Sequence, residues 1–264
     1  TYHMKILILG DIISKPGRKG LRRALPALRE RTGADLVIGN VENAAGLFGV
    51  TEKVIEAIKA SGVDIMTSGN HVWDKREGYP LLEIRDDLLR PANYPDGVPG
   101  RGSLVRSVSG VNVCVINIQG RTFMTPIDCP FRRVSRILSE LPSDVRIVIV
   151  DFHAEATSEK LAMGFFLDGR VTAVAGTHTH VQTSDERILP EGTAYITDVG
   201  MVGPRDSIIG VKKEQVIDRF LYGTPQRLQV AGGTALLGAL LVDIDEETGR
   251  ARGIERICEE IEEE

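Results

Sequence analysis

The stretch Val63-Asp64-Ile65-Met66-Thr67-Ser68-Gly69-Asn70-His71-Val72-Trp73-Asp74 decides how this chain reads. Val63 to Met66 is a short apolar run bounded by polar residues, the pattern of a buried strand. Past its end stand Asn70 and His71, an amide and an imidazole. In α/β proteins, ligands gather outside the carboxyl ends of the strands. The pair therefore sits where chemistry is expected, and the question becomes what else reaches the same edge.

Upstream, the pattern repeats. Lys5 to Leu9 is an apolar run ending in Gly10-Asp11. Leu21, Ala24, Leu25 and Leu28 then form one helix face, closed by Gly33. Asp35 to Gly39 is a second run, followed by Val41-Glu42-Asn43-Ala44-Ala45-Gly46. Thr51 is placed to cap a helix carrying Val54, Ile55 and Ile58, closed by Gly62. Strand, loop and helix in alternation predict a parallel sheet with helices packed on it. Arg18, Arg22 and Arg29 read as the solvated face of the first helix.

Downstream the character changes. Ser103–Val108 and Val111–Ile118 flank Ser109-Gly110 and predict an antiparallel hairpin. A helix follows over 131–141. Arg146 to Val150 is a strand leading to His153, and Ser158 can cap a short helix. Val171 to Ala175 leads to Gly176-Thr177-His178-Thr179-His180. A second hairpin spans Ile188-Leu189 and Thr193–Thr197, with Asp198 to Met201 as its exit loop. A helix over 213–221 and a closing pair, 235–244 with 252–258, complete the chain. Parallel and antiparallel signals together predict an α/β fold of two mixed sheets flanked by helices, a four-layer αββα sandwich. One domain over residues 4–258 is expected. Thr1-Tyr2-His3 ahead of Met4 reads as a cloning remnant, and the glutamate-rich end, 259–264, as a frayed acidic tail.

Composition bounds the function. With 264 residues, 42% hydrophobic and 26% charged, the chain can bury a sizeable core. A net charge of −5 argues against bulk nucleic-acid binding, which needs an excess of basic residues. Cys114, Cys129 and Cys258 are odd in number and lack metal-ligand spacing, which suits reduced thiols in a cytoplasmic protein. No signal-peptide pattern is visible, and no apolar run approaches the ~18 residues of a membrane span.

Every histidine after His3 stands close behind an apolar run. With Asp11, Glu42, Asn43 and Asn70, the histidines His71, His153, His178 and His180 supply carboxylates, amides and imidazoles to one edge. Each taken singly has a mundane reading, as a helix cap, a turn residue or a core histidine. Together they suit borderline divalent metals such as zinc, manganese or iron. Some seven of these eight N/O donors exceed what one four-coordinate zinc takes and suit two ions sharing a carboxylate.

Gly10-Asp11, Glu42-Asn43, Gly69-Asn70-His71, His153 behind a strand, and Gly176-Thr177-His178-Thr179-His180 resemble the calcineurin-like metallophosphoesterase superfamily. The resemblance is closer to its YmdB-like bacterial branch. It extends to Met4–Ile13, Val41–Gly46, Gly69–Asp74, Asn117–Arg121 and Thr197–Met201, essentially the whole chain. Where the superfamily carries Asp-x-His, this chain has Ile13 in the histidine place. Glu42 stands for a bridging aspartate, and the branch shares both departures. The resemblance implies one metal on Asp11, Glu42, Asn43 and His180, a second on Glu42, Asn70, His153 and His178, and Glu42 as the bridge. Two divalent or mixed-valence ions less two carboxylates and a bridging hydroxide leave a net positive site, fit for phosphate.

The implied reaction is hydrolysis of a cyclic nucleotide by that hydroxide. The implied substrate is 2′,3′-cyclic AMP first and 3′,5′-cyclic AMP second, with His71 protonating the leaving group. Competing readings are a phosphomonoesterase, a nuclease, and a non-catalytic nucleotide sensor. Asp74 is a candidate to orient a metal-ligand histidine, with a helix cap as the alternative. Arg121, Phe123, Met201 and Arg205 are candidate substrate contacts, and Trp73 reads as core. A homo-oligomer is the general expectation for a soluble protein of this kind.

Overall fold

In a computed structural model describing residues 3–263, the first third alternates strands and helices. β1 (His3–Ile12), α1 (Ser14–Thr32), β2 (Leu36–Asn40), α2 (Glu52–Ala60) and β3 (Ile65–Thr67) are followed by a 3-10 turn (Asn70–Trp73) and α3 (Gly78–Ile84). Then come β4 (Ser103–Val108), β5 (Val111–Gln119), α4 (Pro130–Glu140), β6 (Ile147–His153), α5 (Thr157–Leu167) and β7 (Ala173–Thr177). β8 (Arg187–Ile188), β9 (Ala194–Ile196), β10 (Met201–Pro204), α6 (Lys213–Tyr222), β11 (Ala235–Asp245) and β12 (Ala251–Ile261) complete the described chain.

Two mixed sheets result. One has the order β12-β11-β10-β1-β2-β3, the other β4-β5-β6-β7-β9-β8. Their central strands run parallel: β10, β1, β2 and β3 in the first, β5, β6, β7 and β9 in the second. Such strands are covered on both faces and so read as continuous apolar runs. In β1, Ile6 and Ile8 point into the core between the sheets, against Val113, Val115 and Ile149. Leu7 and Leu9 point outward onto Leu21, Leu25 and Leu28 of α1 and Ile55 and Ile58 of α2. On the far side, Ile116 and Val150 meet Val134 of α4 and Met163 and Leu167 of α5. Each such side chain, fully buried, contributes about 1.5–3 kcal/mol. The expected four-layer αββα sandwich is the observed architecture. α1 stops where expected: Gly33, at φ 66°, adopts the left-handed cap that ends a helix.

The differences are local. Met201, expected to end the exit loop, instead opens β10, a parallel partner of β1 (Asp11 beside Met201). β6 runs on through His153 and β7 through Thr177, so these residues are held inside ladders. The acidic end is not frayed from Glu259. β12 continues to Ile261, with Glu259 and Glu260 paired to Leu237 and Leu236, as charged residues commonly are on an exposed edge strand. Thr51 sits at the predicted N-cap without a side-chain hydrogen bond, and α5 starts from Ala156 rather than Ser158. Thr1 and Tyr2 of the expected remnant lie outside the described residues, while His3 opens β1 beside Asp245. Among the described residues no helix is long and apolar enough to cross a membrane.

Candidate functional site

The carboxyl ends of the parallel strands of both sheets meet. The first sheet delivers Asp11 from the end of β1, Glu42 and Asn43 from the loop after β2, and Asn70 and His71 from the turn after β3. The second delivers His153 from the end of β6 and His178 and His180 from the loop after β7. All eight polar residues named from the sequence arrive at this edge.

At its centre is the fully buried His153. Its Nε2 lies 3.0 Å from Glu42 Oε1, 3.2 Å from Asn70 Oδ1 and 3.1 Å from His178 Nδ1. One imidazole nitrogen carries at most one hydrogen and cannot serve three neighbours, so these atoms converge as ligands do. Glu42, His153 and His178 each bring a ligand atom within 4.8 Å of the others. The far nitrogen of His153 is oriented from behind. Thr177 Oγ1 donates to Asp151 Oδ1 at 2.7 Å and so receives His153 Nδ1–H at 2.9 Å, which turns the Nε2 lone pair toward the cluster. Gly69 is required here, because a Cβ would stand 2.2 Å from the His153 ring and 2.5 Å from Glu42 Oε2.

The second flank is looser. Asp11 Oδ2 accepts the His178 backbone N–H at 3.1 Å, while Asp11 Oδ1 is buried without a hydrogen-bond partner. His180 Nε2 lies 3.8 Å from Asp11 Oδ1 and 3.2 Å from Asn43 Nδ2, and its Nδ1 donates to the Ile209 carbonyl at 2.9 Å. For Asn43 to offer its oxygen, the amide must turn by half a rotation. His178 and His180 hold φ of 100° and 65°, an uncommon conformation for non-glycine residues that their surroundings must enforce. Thr179, between them, bonds Asp198 Oδ2 through N–H (3.2 Å) and Oγ1 (2.7 Å). Lys160, buried, donates to the same oxygen at 2.6 Å.

Electrostatics point the same way. Burial disfavours a charged His153, but Glu42 beside it, with Asp11 and Asp151, outweighs burial and raises its pKa to about 9. Burial likewise works against the Glu42 carboxylate, yet His153 and the His71 N–H hold it near 2. Burial lifts Asp11 to about 6. Burial and the neighbouring His153 push His178 down to about 3, leaving it a neutral donor. Positive charge, as a proton or a metal cation, is stabilised at the centre. The orphaned Asp11 oxygen, the convergence on His153 Nε2 and the purely N/O donor set all fit divalent metal.

His71 stands apart from this convergence. Its backbone N–H donates to Glu42 Oε2 at 2.8 Å, and its Nδ1 bonds Asp74 Oδ2 at 2.8 Å, leaving Nε2 for the cavity. Its ring lies against Phe48, centroids 4.1 Å apart. The cavity, of about 330 Å³, has Glu42, Asn43, His71, Glu155, His178, Thr179 and His180 on its polar side, and Ile13, Leu47, Phe48, Ile209, Val211 and Leu228 on its apolar side. Ile13 thus lines the cavity from the position where the superfamily motif carries histidine.

The suggested substrate contacts are not among these lining residues. The Arg121 guanidinium lies beside Cys129 Sγ, Phe123 is exposed, Met201 is buried in β10, and Arg205 bonds Glu260 at 2.9 Å. Trp73, half-buried, packs with Tyr79 and Tyr94 at the margin of the core. Arg18 is more than a solvated face residue: it bonds the Ala44 carbonyl and ties α1 to the loop bearing Glu42. The apolar wall was missed. Leu47-Phe48 carried a signal, an apolar pair between Gly46 and Gly49 directly behind Glu42-Asn43. Ile209, Val211 and Leu228 carried none.

Known proteins sharing this architecture make the relationship plain. A family model described as "YmdB-like protein" matches residues 7–257. The 2′,3′-cyclic-nucleotide 2′-phosphodiesterase of Bacillus subtilis (strain 168) is 47% identical over 254 residues, 96% of each chain. A crystal structure titled as a novel phosphatase of Mycoplasma pneumoniae superposes with TM-score 0.94 at 36% identity, covering 99% of this chain and 95% of that one. A hypothetical protein from Thermus thermophilus superposes at 0.92 and 43% identity, covering 98% and 100%. With a family model matching nearly the whole chain and a relative 47% identical over 96% of it, the chain belongs to the YmdB-like family.

Proposed function

We propose that this protein is a metal-dependent phosphodiesterase that hydrolyses cyclic nucleotides, with 2′,3′-cyclic AMP the leading substrate and 3′,5′-cyclic AMP the second. The observation that carries the reading is the convergence of Glu42, Asn70 and His178 on His153 Nε2, beside a cavity into which His71 faces. The relationship to the Bacillus subtilis 2′,3′-cyclic-nucleotide 2′-phosphodiesterase supports the choice of substrate.

In this reading Glu42, Asn70, His153 and His178 hold one ion, and Asp11, Glu42, Asn43 and His180 hold the other, with Glu42 shared. Iron, manganese and zinc all suit these donors. When bound, the ions supply positive charge to the phosphoryl oxygens and acidify water to a nucleophile at neutral pH. The remaining roles fall to the chain. Asp74 grips His71 Nδ1 and fixes the ring. His71 Nε2 then delivers a proton to the leaving alkoxide. Leu47, Phe48, Ile209 and Leu228 exclude water and receive the nucleoside. The three unpaired cysteines support a reducing, cytoplasmic setting, and the acidic net charge supports a small substrate over bulk nucleic acid.

The test is metal content together with turnover on 2′,3′-cyclic AMP, 3′,5′-cyclic AMP, bis-p-nitrophenyl phosphate and p-nitrophenyl phosphate. Two metals per chain and diesters preferred over the monoester are expected. A metal content below one per chain, or a preference for the monoester, refutes the reading.

A further inference from the structure

Each of the three imidazoles in the cluster has one ring nitrogen engaged from behind. His153 Nδ1 rests on Thr177 Oγ1 and His180 Nδ1 on the Ile209 carbonyl, both at 2.9 Å. Those acceptors are neutral. His178 differs: its Nδ1 faces His153 Nε2 at 3.1 Å, and its Nε2 lies 3.0 Å from Glu155 Oε2, a carboxylate with no role in the cluster so far. A nitrogen aimed at the other donors presents its lone pair, so the ring hydrogen of His178 is on Nε2 and donates to Glu155.

The chain brings Glu155 there for a local reason. His153 ends β6, and one residue on, the Ala154 N–H bonds the carbonyl of Thr177, the last residue of β7, at 3.3 Å. The exit of one strand therefore runs beside the exit of its neighbour, and Glu155 arrives at His178. It is half-exposed, lines the cavity, and among the described residues makes no other hydrogen bond or ion pair. His178 needs such a hold. It sits on a loop at φ 100°, without the ladder that fixes His153.

We infer that Glu155 is a positioning residue for metal binding, one that fixes the tautomer and tilt of His178 and strengthens its Nδ1 as a donor; the inference rests on the two-ion reading above. A carboxylate that accepts the far N–H of an imidazole ligand raises the basicity of the ring, and its loss typically costs about 10–100-fold in metal affinity. Hydrogen bonds to an ionised acceptor are also roughly twice as strong as neutral ones, so Glu155 does for a loop histidine what the ladder does for His153. The effect is confined to the ion on His153 and His178. Asp11, Asn43 and His180, which serve the other ion, make no contact with Glu155.

The test is the number of ions kept by the manganese-loaded full chain in dialysis against chelator-buffered manganese, read by elemental analysis. Wild type releases its ions in two steps. In Glu155→Ala the free-manganese level at which the tighter ion is lost rises about 10–100-fold, and the other step stays in place. Glu155→Gln, whose amide oxygen still accepts the Nε2–H, keeps most of the wild-type affinity. The thermal midpoint of metal-stripped Glu155→Ala equals that of stripped wild type, which separates a lost orienting contact from a damaged fold. Turnover that Glu155→Ala loses at limiting manganese returns at saturating manganese. The inference is overturned by Glu155→Ala release steps that match wild type, or by Glu155→Gln binding no better than Glu155→Ala. A turnover loss that saturating manganese leaves in place also overturns it and gives Glu155 to the substrate instead. A wild type that holds no ion refutes the two-ion reading itself, a failure distinct from these.

Discussion

The two flanks of the polar cluster differ in how firmly the fold holds them. On one flank, His153 is inside a ladder, oriented by Thr177 and Asp151, with its neighbours at 3.0–3.2 Å. On the other, His180 is on a loop in a left-handed conformation, 3.8 Å from an unpartnered Asp11 oxygen. Sites built on strands are held more precisely than sites built on loops. In the proposed two-ion reading, the first flank is nearly assembled before an ion arrives, whereas the second would have to close around one. In the two-ion reading, the His153 flank binds more tightly.

Four substitutions probe this contrast, and the largest effect belongs to the residue both flanks share. Glu42→Ala empties both positions and abolishes turnover, measured by elemental analysis and assay. Retention of two ions by this variant contradicts a bridging Glu42. Next come His153→Ala and His180→Ala as a pair. The first loses the tighter ion, and the second keeps one ion per chain and loses the weaker. Equal losses from the two variants would erase the difference between the flanks.

The smallest effect on metal comes from Lys160→Met. Breaking a buried ion pair costs about 3–5 kcal/mol and lowers the thermal midpoint by about 10 °C. With Asp198 no longer anchored, Thr179 releases the His178–His180 loop, and affinity for the weaker ion falls while the tighter one stays. An unchanged affinity would show that the loop holds its shape without Lys160.

What the sequence discloses follows the same divide. The strands that lead to Asp11, Glu42, His153 and His178 are legible because two buried faces leave continuous apolar runs, and the polar residues at and after their ends stand out. Two sheets follow from the mixed hairpin and parallel signals, but that both deliver residues to the one edge appears only in the folded chain. β10 is not legible: four residues between loops, Met201 to Pro204, carry no period, and only the ladder with β1 makes them a strand. Glu259 and Glu260 look like a solvated tail because an edge strand tolerates charge. The cavity wall is hidden for a different reason. Leu228 and Ile209 reach His180 by tertiary folding of the segment between β10 and β11, with no local signature. Arg205 looked like a phosphate contact from its place behind Met201, yet β10 carries it to the edge strand and Glu260.

His71→Ala tests the central claim most directly, because it separates the ions from the proton donor. The account predicts that the variant binds the same metals per chain as wild type while turnover of 2′,3′-cyclic AMP falls by about 10²–10⁴-fold. Undiminished turnover, or loss of metal along with activity, would contradict it.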